Sequence, residues 1–176
     1  MNERFKRLML IESFWNFMYG LAAPFIAIYF NQFGGLEEVG ISFAILSVFK
    51  GLMSFFAGKV LEKHTARTVL LFGQITESIR ILLFIFASNI YFIYLLQFIG
   101  GITGGFISPS YFKLYVKVGK DEPGKSFGSS IALSNIAIGS SALISGLMLD
   151  YFGYAPMFIF WSIAELIYGL YIYFNV

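Results

Sequence analysis

The sequence predicts an all-α membrane protein of six transmembrane helices, arranged as two three-helix units of opposite orientation, a 3+3 inverted repeat. Three observations carry this. The 176 residues are 58% hydrophobic, 20% aromatic and only 12% charged, against roughly 25% charged in an average soluble domain. Six apolar stretches, parted by short polar breaks, are each long enough to cross ~30 Å of hydrocarbon at ~1.5 Å per residue. Two sequence echoes recur in nearly one register between the two halves of the chain.

Helix 1 is expected from about Leu8 to Phe30. The basic stretch before it superficially looks like the start of a signal peptide. The apolar run is too long for one, and Glu12 and Asn16 interrupt it, so it reads as a retained helix. Helix 2 follows from Ile41 to Leu61, helix 3 from Ala66 to Ala87, helix 4 from Tyr91 to Tyr115, helix 5 from Phe127 to Leu149 and helix 6 from Ala155 to Phe174. The whole chain, 1–176, is thus one bundle, with repeat 1 at about 8–87 and repeat 2 at about 91–174.

Positively charged flanks resist translocation, so their placement sets orientation. Arg4, Lys6 and Arg7 precede helix 1; Lys59, Lys63 and Arg67 bracket the loop between helices 2 and 3; Lys113, Lys117, Lys120 and Lys125 bracket that between helices 4 and 5. All fall on one side, while the opposite loops hold Glu37, Glu38 and Asp150. Both termini are therefore expected in the cytoplasm, in a multi-pass protein of the cell (inner) membrane. Tyr29, Tyr91, Tyr94, Tyr151 and Tyr154 near the outer ends suit an interfacial aromatic belt.

The repeat rests on two echoes. Gly20-Leu-Ala-Ala-Pro24 in helix 1 matches Gly105-Phe-Ile-Ser-Pro109 in helix 4, an offset of 85. Gly58 to Glu62 at the end of helix 2 matches Gly146 to Asp150 at the end of helix 5, an offset of 88. An odd number of helices per unit turns the second copy upside down in the membrane.

With no cysteine and one histidine, His64, the sequence holds no disulfide, thiol chemistry or zinc site. A net charge of +2, with basic residues between apolar runs, argues against nucleic acid. No nucleotide-binding signature appears, and no cofactor is expected. An intramembrane serine protease would need a histidine within the membrane, whereas His64 is in a loop, so the chain is not expected to be an enzyme.

Five ionisable residues lie inside apolar spans: Glu12, Lys50, Glu77, Arg80 and Glu165. At about 2.5 to 3.5 kcal/mol each near the centre, such residues should face protein or water. Glu12, Asn16 and Tyr19 share one helical face, flanked by Trp15. Glu12 reads either as a proton or cation site or as an interfacial carboxylate paired with Arg7. Lys50, on a strip with Ser47 and Ser54, either holds an anionic solute group or, the preferred reading, neutralises Glu77 or Glu165. Glu77 and Arg80, at i and i+3, can pair within helix 3. Gly100, Gly101, Gly104 and Gly105 in helix 4, and Asn135, Gly139, Ala142 and Gly146 in helix 5, make small-residue faces for close packing.

Gly58-x-x-x-Glu62-Lys63-x-Thr65-x-Arg67 resembles the cytoplasmic motif G-x-x-x-D-R/K-x-G-x-R/K of the major facilitator superfamily, with Glu in place of Asp and Thr in place of the second Gly. Gly139 to Gly146 and on to Gly153 resembles that family's junction of helices 5 and 6. Two departures stand out: Gln97 occupies the place of a helix 4 arginine common in the family, and the antiporter pattern G-P-x-x-G-G has no counterpart. The resemblance implies a secondary transporter of a small organic solute, working by alternating access and, through Glu12, coupled to protons. It puts Glu12, Trp15, Asn16, Tyr19, Lys50 and Gln97 forward as solute or proton-site candidates. Gly58, Glu62, Lys63 and Arg67 become a conformational motif, and Glu77, Arg80 and Glu165 a buried structural network. Family members bind solute between two six-helix bundles, so a partner is implied. A parallel homodimer in membrane lipid is the first choice, with Glu62 of one copy meeting helix 5 of the other. A half of a longer transporter, a membrane scaffold and a lipid-moving protein are the alternatives.

Overall fold

A computed structural model describes residues 3–119 and 123–176. Among the described residues the chain is helical, without strands, and runs as α1 (Glu3–Ala22), a 3-10 turn (Ala23–Phe25), α2 (Ile26–Asn31), α3 (Leu36–Lys63), α4 (Ala66–Leu83, continued by a 3-10 turn, Phe84–Phe86), α5 (Ile90–Val118), α6 (Pro123–Phe152) and α7 (Tyr154–Asn175). Lys120, one of the basic residues used for orientation, lies outside the described residues.

Five helical segments, all those from Leu36 onward, are long and apolar enough to cross a membrane. The chain is a multi-pass membrane protein. The expected first span differs. Glu3, Arg4, Lys6, Arg7 and Glu12 dilute the apolarity of α1, and Pro24, which has no N–H to donate, breaks the helix into a 3-10 turn. From Glu3 to Asn31 the broken rod still extends roughly 40 Å at ~1.5 Å per residue.

Helix ends follow local chemistry. The Thr65 hydroxyl accepts from the Thr68 N–H at the start of α4, and Asn89 Oδ1 accepts from the Phe92 N–H at the start of α5. α3 and α7 begin after Gly35 (φ 97°) and Gly153 (φ 71°), left-handed conformations that a Cβ would strain. The Tyr29 hydroxyl donates to the Phe84 carbonyl (2.5 Å), which also accepts the Ala87 N–H (3.0 Å), and so ties α2 to the end of α4.

α3 packs along α5, α1 along α6 and α7, and α4 along both α5 and α7. Small residues set the closest approaches. A Cβ on Gly20 would sit 2.9 Å from Ile138 Cα and against Ser141; one on Gly105 would sit 2.9 Å from the Lys50 carbonyl and 2.5 Å from Met53 Cβ. Two apolar clusters cap the bundle. Phe5, Leu8, Leu61, Leu70, Leu114 and Ile172 fill the end where both α1 and α4 begin, and Phe30, Ile81, Phe84, Ile93, Met157 and Phe158 fill the other. Buried polar side chains lie between them in sequence along the same helices: Asn16, Gln74, Ser78, Arg80, Gln97, Ser162 and Glu165. α3 and α6 are the least covered spans, and Val48, Leu52, Ile136 and Leu143 stand exposed on them.

Candidate functional site

The side chain that organises the site is Glu12, a little over two turns into α1. Its Oε1 accepts from the Tyr111 hydroxyl of α5 (2.5 Å) and its Oε2 from the Ser130 hydroxyl of α6 (2.6 Å). One turn on, Asn16 Nδ2 donates to the Glu12 carbonyl (2.9 Å) and to Ser134 Oγ of α6 (3.0 Å). The i, i+4 spacing of Glu12 and Asn16 is matched by that of Ser130 and Ser134, so two parallel helices meet polar group to polar group. Charge-assisted bonds to a carboxylate are the stronger kind, and here they join three helices at one residue.

These residues line a cavity of about 470 Å³ among α1, α4, α5, α6 and α7. Trp15, Tyr111, Phe112, Tyr115, Phe127 and Tyr168 give its wall aromatic faces, while Gln74, Ser108 and Asn135 add polar ones. No Lys, Arg or His is among the lining residues. Two polar atoms of the wall, Trp15 Nε1 and Gln74 Oε1, are buried with no hydrogen-bond partner among the described residues. One is a donor and the other an acceptor, and both lie behind the wall surface, out of contact with solvent.

Tyr19 is not on the cavity wall. Its ring stacks on Trp15 (5.4 Å between centroids, planes 3° apart) and meets the edge of Trp161 (5.2 Å). Trp161 Nε1 in turn donates to Glu165 Oε1 (2.8 Å). Glu165 is 2% exposed, and its second oxygen has no partner among the described residues. Glu77 and Arg80 pair within α4 through the Arg80 Nη2 and Nε groups. The Thr103 hydroxyl donates to Glu77 Oε2 (2.6 Å), and Arg80 Nη1 donates to Gln97 Oε1 (3.3 Å). Gln97 is thus engaged in that network, away from the cavity.

Lys50 forms no ion pair among the described residues. It is exposed on α3, its stem passing Gly104 of α5. Gly58, Glu62 and Lys63 are exposed at the end of α3, and Arg67 donates to the Val176 carbonyl. Glu12 has hydroxyl partners, and no ion pair with Arg7 occurs among the described residues. Among those residues no group of three His, Asp or Glu side chains could hold a metal ion.

Sequence reasoning missed Tyr111, Ser130, Ser134, Gln74 and Tyr168. The paired serines at i, i+4 carried a signal; Tyr111 carried none beyond its place two residues after Pro109.

A sequence model of the Major Facilitator Superfamily matches residues 8–176. The chain is 27% identical over 169 residues to the Multidrug resistance protein MdtG of Proteus mirabilis (strain HI4320), covering 89% of this chain and 42% of the relative. The proteins of the same name from Dickeya zeae (strain Ech586) and Serratia proteamaculans (strain 568) are 28% and 29% identical, each over 80% of this chain and 36% of the relative. The chain thus spans about two fifths of the length of these curated relatives.

Proposed function

The chain belongs to the Major Facilitator Superfamily, and from that premise we propose that it supplies one six-helix half of a secondary transporter moving a small organic solute by alternating access. The observation that carries the reading is Glu12, a carboxylate in a cavity wall on which hydroxyls from α5 and α6 converge. A proton or a solute donor arriving at this carboxylate takes an acceptor away from Tyr111 or Ser130. That loosens α1 from α5 and α6 and ties helix position to occupancy. The same step supplies proton coupling. This is a transporter's chemistry and not an enzyme's: no bond of the solute changes.

The wall suits an amphipathic solute, with aromatic faces, the Glu12 carboxylate and the polar side chains of Asn16, Ser108 and Asn135. The relatives' name, multidrug resistance protein, favours the same kind of solute.

The internal architecture is a 3+3 inverted repeat. Its support is that the close contacts repeat in the offsets of the sequence echoes. Gly20 against Ile138 and Ser141 corresponds to Gly105 against Lys50 and Met53, by 85 on the glycine side and 88 on the other. The helix pairings also map onto themselves when α1 is exchanged with α5, α3 with α6 and α4 with α7.

The open faces of α3 and α6 take the second six-helix bundle, for which a second copy in parallel orientation is the working partner. Lys50 on α3 then faces protein or water, which suits a charge in the membrane. Glu62, with Gly58, Lys63 and Arg67, braces the cytoplasmic side against α6 of that partner. Both termini lie in the cytoplasm, in the inner membrane. Glu77, Arg80 and Glu165 hold the bundle together.

The test is reconstitution of the full chain in lipid vesicles, with its oligomeric state read by site-specific crosslinks. Uptake of amphipathic solutes is then followed under an imposed pH gradient. Uptake by a parallel dimer that loses its pH dependence in Glu12→Gln supports the reading. A monomer that moves no solute of the panel overturns it.

A further inference from the structure

At the end of the bundle where α3 stops and α4 begins lies a depression of about 890 Å³, separate from the cavity around Glu12. Lys63, His64, Arg67, Lys113, Lys117 and Tyr173 line it, and among the described residues Glu62 is the one carboxylate side chain in its lining. Lys113 is anchored to the backbone carbonyl of Leu61, which orients the cation without cancelling its charge, and Arg67 is held at Val176. The ion pairs among the described residues, Lys6 with Glu3 and Arg80 with Glu77, are elsewhere. The depression is therefore a concave, positively charged surface at the ends of α3, α5 and α7, at the depth where membrane meets water.

An apolar groove of about 440 Å³ leads away from it along α4 and α5. The two share His64 and Thr68, so the second begins where the first ends. Val69, Phe72, Ile102 and Phe106 form the groove's sides. Gly73 lets α4 and α5 pack closely beside the groove, because a Cβ there would strike Ile107 (2.6 Å). Thr76 and Thr103, at the far end, turn their hydroxyls to the Phe72 carbonyl and to Glu77. The groove therefore presents apolar surface to an occupant. Phe72 is 67% exposed, and no other part of the described chain covers it. From His64 to Thr76 the rise is about 18 Å at ~1.5 Å per residue, close to the roughly 15 Å depth of one leaflet.

A basic hollow at the interface joined to an apolar channel one leaflet long has the shape and charge of a single lipid. We propose that this face binds one anionic glycerophospholipid, with its phosphate on Lys63, His64 and Lys117 and one acyl chain in the groove between α4 and α5. The site shares Lys63 with the motif that braces the cytoplasmic side, but lipid retention is read without transport, so the proposal stands whether or not the cavity around Glu12 binds a solute.

The test is native mass spectrometry of the full chain in mild detergent, titrated with dioleoyl phosphatidylglycerol or with dioleoyl phosphatidylcholine, whose acyl chains are identical. The expected result is at least fivefold greater retention of one phosphatidylglycerol. The exposed double variant His64→Gln/Lys117→Gln should bring that ratio near one, and Thr76→Trp, which fills the groove, should lower retention of phosphatidylglycerol by a similar factor. Equal retention of the two lipids by the unaltered chain overturns the proposal. So does retention unaffected by Thr76→Trp, which leaves the groove without a role. A separate arm adds inorganic phosphate at millimolar concentration: displacement of phosphatidylglycerol by it would mark a free-anion site and overturn the lipid assignment.

Discussion

Ser78 of α4 and Ser162 of α7 hold each other by exchange. Each hydroxyl lies 2.8 Å from the other residue's backbone carbonyl, and the two hydroxyls are 3.0 Å apart. The arrangement is its own mirror under exchange of the two helices, so neither serine is the senior partner. Ser78→Ala and Ser162→Ala should therefore cost the same, about 0.6 to 1.5 kcal/mol each, and the double variant less than twice a single one. Unfolding titrations in mixed micelles would show this; clearly unequal single costs would count against it.

Glycine position separates packing from other roles. Gly105→Ala places a methyl 2.5 Å from Met53 Cβ and 2.9 Å from the Lys50 carbonyl, so a loss of about 1 to 3 kcal/mol is expected. Gly58→Ala meets nothing within 4 Å and should fall within roughly 0.5 kcal/mol of the parent. Thermal midpoints in detergent rank the two. A transport defect in Gly58→Ala at parental stability would mark a role in conformational change.

Removing one member of the buried ion pair should be worse than removing both. Arg80→Gln strands the Glu77 carboxylate and empties the contact with Gln97, an expected cost of about 3 to 5 kcal/mol. Glu77→Gln/Arg80→Gln should recover a large part of it. Yield of folded protein and unfolding midpoint are the measurements, and a double variant no better than Arg80→Gln would contradict the pairing.

In vesicles, Glu12→Gln should lower proton-driven uptake at least tenfold, equivalent to about 1.4 kcal/mol. Tyr111→Phe, which removes one donor and keeps the carboxylate, should retain pH dependence with an altered half-saturation point. Equal behaviour of both variants would mean that the hydrogen bonds matter and the charge does not.

The features legible in the sequence are those that repeat at short range. Hydropathy located the five spans from Leu36 onward, and the i, i+3 spacing of Glu77 and Arg80 located their pair. Glu12 and Asn16 stood out because polar groups are costly in an apolar run. Their partners did not: Tyr111 and Ser130 lie 99 and 118 residues away, and a tyrosine or serine inside a membrane helix is unremarkable until the helices are side by side. Lys50 was misleading for a related reason. Its expected carboxylate partners were satisfied locally, Glu77 by Arg80 and one oxygen of Glu165 by Trp161.

The modest apolarity of α1 bears on how the protein is made. A segment carrying Arg4, Lys6, Arg7 and Glu12 partitions weakly into lipid by itself, yet its neighbours in the bundle, α6 and α7, are synthesised after it. α1 thus gains its permanent surroundings only after α6 and α7 have been made. Glu12, in the cavity wall, therefore acquires its Ser130 partner only when α6 is in place beside α1.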